Sequence, residues 1–191
     1  ANQISTTRNI ILPNLKKELE HLLSDLGMPE ARFSIELSTS DTFLSNGKDK
    51  LSFLFSANKG GSFGELTKVA SGGELSRIML AIKKILSENI QLPTIIFDEI
   101  DTGVSGEISN KIAKIMQEMS KQMQVITITH LPQIAAKGNQ HYKVYKEDVA
   151  GVTTTNLKQL SEDERIVEIA QMLGGIEMSS SAIAHAKELL N

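Results

Sequence analysis

The chain has 191 residues, with 20 Lys and Arg against 23 Asp and Glu and a formal net charge of −3, which suits about one domain with a small appendage and gives no general affinity for a phosphate backbone. It has no Cys and no Trp, and only 4% aromatic residues, which excludes disulfides, thiolate metal sites and cysteine nucleophiles and disfavours a base-stacking platform. With 40% hydrophobic and 23% charged residues the composition is that of a globular chain; its apolar runs fall far short of the ~20 residues of a membrane helix and no signal-peptide pattern opens it, so a soluble cytoplasmic protein is expected.

In chain order, Ile11, Leu15, Leu19, Leu22 and Leu26 form a stripe at helical spacing that Gly27 ends. With Pro13 inside it, this helix is either the end of a coiled coil or an amphipathic helix lying on the domain. Ala1 in place of Met hints at a piece of a longer chain or at a processed terminus. Arg32 to Leu37 and Lys50 to Ser56 read as a strand pair, bounded by turns at Ser45 to Gly47 and Asn58 to Gly64. A helix is predicted from Ser71 to about Ser87, with Leu75, Ile78, Met79, Ile82, Ile85 and Leu86 on its buried side. Thr94 to Phe97 and Val125 to Thr129 read as parallel strands covered on both faces, joined by a helix near Gly106 to Met119. A hairpin of His141 to Lys146 with Val152 to Leu157, turning at Gly151, and helices over Glu162 to Leu173 and Ser180 to Leu190 complete the chain. The architecture is α/β, a mostly parallel sheet with flanking helices and antiparallel strands at its margin.

Three stretches carry chemistry. Ser71-Gly72-Gly73-Glu74 has the spacing of a capping box, which explains Ser71 and Glu74. It leaves unexplained two glycines that each cost up to ~1 kcal/mol relative to Ala in a helix. Without a Cβ, the N–H groups of a helix N-terminus are open to an anion, phosphate above all; cap and phosphate site both remain open readings. Thr94-Ile95-Ile96-Phe97-Asp98-Glu99 ends a buried strand on two carboxylates, at the edge where open α/β sheets bind ligands. Adjacent strand residues point opposite ways, so one carboxylate can serve Mg²⁺ and the other an attacking water. Solvated loop acids are the bland alternative, and Asp101 reads as a cap of the next turn. The strand before His130 brings a titratable group to the same edge, within reach of a phosphate or its attacking water. His21, His141 and His185 read as structural. Arg77, Lys83 and Lys84 lie on a helix face that is either solvated or turned to DNA.

Taken in order, Ala70-Ser71-Gly72-Gly73-Glu74-Leu75-Ser76-Arg77, Phe97-Asp98-Glu99-Ile100-Asp101-Thr102-Gly103-Val104-Ser105-Gly106 and Thr129-His130-Leu131-Pro132-Gln133-Ile134-Ala135 resemble the signature motif, Walker B motif and switch histidine of the ABC-type ATPases. Glu74 resembles the SMC-related branch rather than the transporters. With Leu26-Gly27-Met28, Phe55-Ser56-Ala57-Asn58 and His141-Tyr142, the chain from about Leu26 onward is similar to the C-terminal part of the RecN family of bacterial DNA repair proteins.

The resemblance implies the C-terminal half of an SMC-like P-loop NTPase head, residues 28–191, with residues 1–27 as the end of a returning coiled coil. It implies Asp98 serving Mg²⁺ through water, and Glu99 and His130 as catalytic residues, one at the attacking water and the other at the γ-phosphate. It further implies Ser71, Gly72 and Gly73 reaching ATP held by a second head, with Glu74 at the edge of that contact. Implied partners are the N-terminal half of the same head, a second head as a homodimer, and DNA through the full-length protein, with no membrane and a nucleoid-associated cytoplasmic location. Residues 101–105 would form the loop that communicates between heads; Ser105 stands where Asp is frequent, and no catalytic role is carried onto it. No Gly-x-x-x-x-Gly-Lys-[Ser/Thr] run occurs in the chain, so the phosphate cradle is missing. Alone the chain is expected to bind ATP weakly and to hydrolyse it negligibly. The alternative is a non-catalytic docking module lacking a P-loop.

Overall fold

The computed structural model describes residues 1–104, 106–149, 151–175 and 179–191, with Val149 described by its backbone alone. The chain divides into two compact units, one of residues 1–92 with 102–104 and the other of residues 93–101 with 105–191.

In the first unit, α1 (Asn2–Asp25) packs on the antiparallel strands β1 (Arg32–Leu44) and β2 (Gly47–Ser56) and on α3 (Gly72–Asn89). A two-residue strand β3 (Gly64–Glu65) pairs with β2, and the short α2 (Leu66–Val69) follows it; neither is legible in the sequence pattern. α1 closes in a Schellman motif: Gly27 at φ +81° donates to Ser24 O at 3.2 Å and Met28 N donates to Leu23 O at 2.8 Å, satisfying two terminal carbonyls. Of the stripe, Leu19 and Leu26 are buried, Leu15 and Leu22 half-buried and Ile11 exposed; Leu23, outside the stripe, is buried as well, and Ile4 and Ile10 are exposed. The helix is tied to the sheet by Arg8 Nη1 to Asp49 Oδ2 and Ser5 Oγ to Asp49 Oδ1, both 2.6 Å, and by Phe33 N donating to Glu20 Oε1 at 2.9 Å. Phe33 and Phe55, opposed across β1 and β2, are fully buried with ring centroids 5.3 Å apart.

On α3 the expected buried face needs correction. Ile78 and Ile85 are buried, but Met79 is exposed, and Leu80, Ala81 and Ser87 are buried instead. Counting only large apolar residues overlooks Ala81 and Ser87, whose small side chains admit close neighbours; the Ser87 hydroxyl is satisfied by donating to Lys84 O at 2.6 Å.

In the second unit, β4 (Thr94–Asp98) and β5 (Gln124–Ile128) form a parallel pair joined through α4 (Glu107–Met119). The parallel core is this one pair; the antiparallel strands form separate sheets. Among the described residues of this unit, the expectation that the pair is covered on both faces does not hold: Phe97 is buried on one face, while on the other Ile96, Ile126 and Ile128 are 63%, 43% and 53% exposed. β6 (Tyr142–Val149) and β7 (Val152–Gln159) make the expected hairpin, with Val144 opposite Leu157. Helices α5 (Pro132–Ala136), α6 (Glu162–Gly174) and α7 (Ser180–Leu190) share a core of Ala136, Ile169, Ala170, Ala182 and Ala186. Buried Arg165 locks α6 to the end of α5, donating from Nη2 to Gly138 O at 2.6 Å. None of the helices among the described residues is long and apolar enough to cross a membrane.

Candidate functional site

Within the second unit the ends of β4 and β5 bring Asp98, Glu99, Asp101, Thr129 and His130 to one edge of the parallel pair. The strands run in register from Thr94 opposite Gln124 to Asp98 opposite Ile128, and Glu99 N extends the ladder by donating to Ile128 O at 3.1 Å. Asp98 is exposed on the same sheet face as Ile96. Strand alternation does not aim Glu99, because β4 stops at Asp98 and Glu99 takes φ +48°. Among the described residues it is the one non-glycine with a positive φ, a conformation that costs an L-residue roughly 1–2 kcal/mol. Such strain collects at functional positions, where surrounding structure enforces it.

Asp101 also departs from expectation. It is fully buried, not a solvated cap. Thr129 Oγ1 donates to its Oδ2, and the same hydroxyl oxygen accepts from Leu131 N at 3.0 Å. The His130 imidazole has its Nδ1 3.8 Å from Asp101 Oδ2, although the ring itself is 67% exposed. Sequence reasoning missed this role for Asp101 and missed Thr129 altogether. The available signal was that Asp101 is a third acid close behind Asp98 and Glu99, and that Thr129 is a hydroxyl residue beside the histidine.

The signature segment lies in the first unit, at the start of α3. The capping box is complete: Ser71 N and Ser71 Oγ each donate to Glu74 Oε2 at 2.8 Å, and Glu74 N donates to Ser71 Oγ at 3.4 Å. α6 offers a direct comparison, since Ser161 and Glu164 build the same box at 3.0 and 3.4 Å with Glu162 and Asp163 where α3 has two glycines. The cap therefore does not need glycine. For Gly73 the fold itself supplies a reason: a Cβ there would stand 3.1 Å from Thr102 O. At Gly72 a Cβ would meet nothing within 4 Å, so nothing among the described residues requires glycine there.

Lys84 pairs with Glu88 at 2.8 Å and His21 lies 3.3 Å from Asp25. Burial pushes the half-buried His141 imidazole below its ordinary value. Ser105 lies outside the described residues.

No protein-family model matches the chain. It is similar to the DNA repair protein RecN of Haemophilus influenzae, 38% identical across all of this chain and 34% of the relative, and to RecN of Bacillus subtilis, 40% identical across all of this chain and 36% of the relative. The chain thus spans about a third of the length of the curated relatives it matches, corresponding to a C-terminal part of them. Among solved structures it resembles an Smc head domain with coiled coil and joint from Pyrococcus yayanosii, at TM-score 0.64 and 20% identity over 89% of this chain and 32% of that one. A second is an Smc head domain from Pyrococcus furiosus bound to the C-terminal domain of ScpA, at TM-score 0.58 and 19% identity over 86% of this chain and 40% of that one. These likenesses show the fold, that of an SMC head.

Proposed function

Because the chain is similar along its whole length to the RecN proteins, we propose that it is a C-terminal part of an SMC-like ATPase acting in DNA double-strand break repair, and that it supplies half of a composite ATP-hydrolysis site. The observation that carries the reading is the end of the β4–β5 pair, where Asp98 and Glu99 leave one strand and His130 leaves its hydrogen-bonded neighbour.

In this reading Asp98 holds Mg²⁺ through water. Among the described residues no group of three or more His, Asp or Glu is placed to hold a metal by itself, which suits Mg²⁺, an ion that takes one or two carboxylates and completes its shell with water and phosphate. When bound, the ion neutralises charge on the transferred phosphoryl group. Glu99, carried out of the strand by its left-handed turn, orients and activates the attacking water. His130 donates a hydrogen bond to the γ-phosphate oxygens, where charge develops.

Ser71, Gly72, Gly73 and Glu74 act on ATP held by a second head. Their helix is capped just as α6 is, but α6 follows its cap with two acids that repel an anion, whereas α3 follows it with glycines. The bare Gly72 lets a phosphate reach the first-turn N–H groups. The partner for the exposed Ile96, Ile126 and Ile128 face is the N-terminal half of the same head, which also brings the missing P-loop. In the full-length protein α1 is the end of the returning coiled coil, and residues 101–105 form the loop between heads. The whole acts on DNA in the nucleoid. A second reading, a docking module without catalysis, is favoured only by the capping box, which accounts for Ser71 and Glu74 without ATP.

The test is Mg-ATP turnover by the full-length gene product, its Glu99→Gln variant and this chain alone. Turnover lost by at least ~100-fold in Glu99→Gln with ATP still bound, and absent from this chain alone, is the expected result. Undiminished turnover in Glu99→Gln refutes the catalytic assignment, and a folded full-length protein that neither binds nor hydrolyses ATP leaves the docking module as the reading.

A further inference from the structure

We infer that Asp101 is a positioning residue for His130: its buried carboxylate fixes the imidazole with Nδ1 turned inward and Nε2 presented outward. The inference rests on the reading of His130 as the group that meets the γ-phosphate. Asp101 is 0% exposed, and a buried carboxyl is retained only where partners compensate its desolvation. One partner is Thr129, whose hydroxyl donates to Oδ2. The other carboxyl oxygen, Oδ1, is buried and lacks a hydrogen-bond partner among the described residues. Asp101 is therefore under-compensated by the partners described, and the structure brings His130 Nδ1 to 3.8 Å from Oδ2.

The surroundings of His130 lead to the same place. Thr129 Oγ1 donates to Asp101 and accepts from Leu131 N at 3.0 Å, so the residues on either side of His130 are both fixed through one hydroxyl. The ring is mostly exposed, yet its Nδ1 edge faces a carboxyl group with no exposure. At 3.8 Å the contact is longer than a hydrogen bond, but a carboxylate at that distance still favours a proton on Nδ1 over a lone pair there. With Nδ1 facing Asp101, Nε2 is the ring nitrogen left to meet a phosphate oxygen or its attacking water. A carboxylate that orients a histidine and selects its tautomer in this way acts through the histidine and never touches substrate.

A latch that only pins the turn after β5 would also use Asp101 and Thr129, and it predicts different numbers. In the full-length protein, kcat and KM for Mg-ATP are measured for wild type, Asp101→Asn, His130→Ala and the double variant. Asn keeps the size of Asp and an oxygen for Thr129 but removes the charge. The expected result is a kcat lowered about tenfold or more in Asp101→Asn with KM within about twofold, and a double variant no slower than His130→Ala within about twofold. Losses that multiply in the double variant, or an unchanged kcat in Asp101→Asn, overturn the inference while leaving His130 in place. Wild-type turnover in His130→Ala removes the reading on which it rests and the inference with it. Nitrogen-15 shifts of the imidazole in the unsubstituted protein need no variant to fold: a neutral His130 with its proton on Nδ1 supports the inference, and one with its proton on Nε2 overturns it.

Discussion

Gly72→Ala separates what the fold needs from what a ligand needs. The residue is the first of α3, outside the left-handed region, and an added Cβ meets nothing within 4 Å. Ala in place of Gly in a helix gains up to about 1 kcal/mol, mostly by removing unfolded-state freedom, and about half of that at the first position. A gain of about 0.5 kcal/mol raises the melting temperature of a domain this size by roughly 1–2 °C. Gly73→Ala is the control. Its Cβ would stand 3.1 Å from Thr102 O, so the propensity gain is outweighed by crowding that costs about 1–3 kcal/mol, and the melting temperature falls. Thermal unfolding followed by circular dichroism, together with Mg-ATP turnover of the full-length variants, checks both halves. Gly72→Ala is expected to be slightly more stable and at least ~10-fold slower, because the methyl group stands where a phosphate must come. A slightly stabilised variant with wild-type turnover refutes the argument that Gly72 is bare for a ligand. A destabilised one refutes the open space around it.

Two further outcomes follow from packing and charge. Ile126→Asp changes this chain's stability by less than about 0.5 kcal/mol because the residue is already 43% exposed; the full-length protein is destabilised by several kcal/mol if a partner covers that face, since a carboxylate is then buried unpaired. Equal melting temperatures for the substituted and unsubstituted full-length proteins contradict a covering partner. Asp49 is held below its ordinary value by its hydrogen bond from Ser5 and then by Arg8. Its hold on α1 is therefore complete above the ordinary carboxylate pKa of about 4 and is lost as pH falls through the lowered native value. Protection factors of the amides in the first turns of α1, corrected for the intrinsic exchange rate at each pH, should fall as pH drops through and below the ordinary carboxylate range, and in Asp49→Asn this fall should disappear; protection factors independent of pH in the unsubstituted chain count against the link.

Legibility in the sequence followed how local the determinant was. The Ser71 cap, the stop at Gly27 and the β6–β7 hairpin at Gly151 all arise within a few residues, and spacing alone places them. The β4–α4–β5 crossover was legible because a short apolar run, a helix and a second such run allow few arrangements. The cover of that crossover was not. An apolar run reports that both faces of a strand are meant to be covered, not which element covers them, and so the run at Ile96 and Ile126 reads as doubly covered although the described residues of its own unit leave both exposed. Asp101 was illegible for a related reason. Its partner Thr129 is 28 residues away, and a carboxyl buried by a distant hydroxyl has the same local sequence as one that caps a turn.

Exposure sorts the site residues in a way that bears on mechanism. Of the residues proposed to meet ATP, Mg²⁺ or water, Ser71, Gly72, Asp98, Glu99 and His130 are exposed, and Gly73 and Glu74 are half-buried. Asp101 is buried, and Thr129, which binds it, is half-buried. A group that must meet a ligand from outside has to stay open until the ligand or the completing partner arrives, whereas a group that aims another side chain can be locked during folding. This chain can therefore arrive with Asp101, Thr129 and the Ser71–Glu74 cap already set, and with Asp98 and Glu99, the carboxylates proposed for the chemistry, exposed to water. Excluding that water is then left to the element that covers Ile96, Ile126 and Ile128. Asp98 lies on the face to be covered, so covering the three isoleucines also lowers the local dielectric around Asp98. That in turn strengthens its hold on a cation. If the proposed function holds, docking of an N-terminal half and assembly of the metal side of the site are one event, and this chain by itself is expected to turn over negligibly.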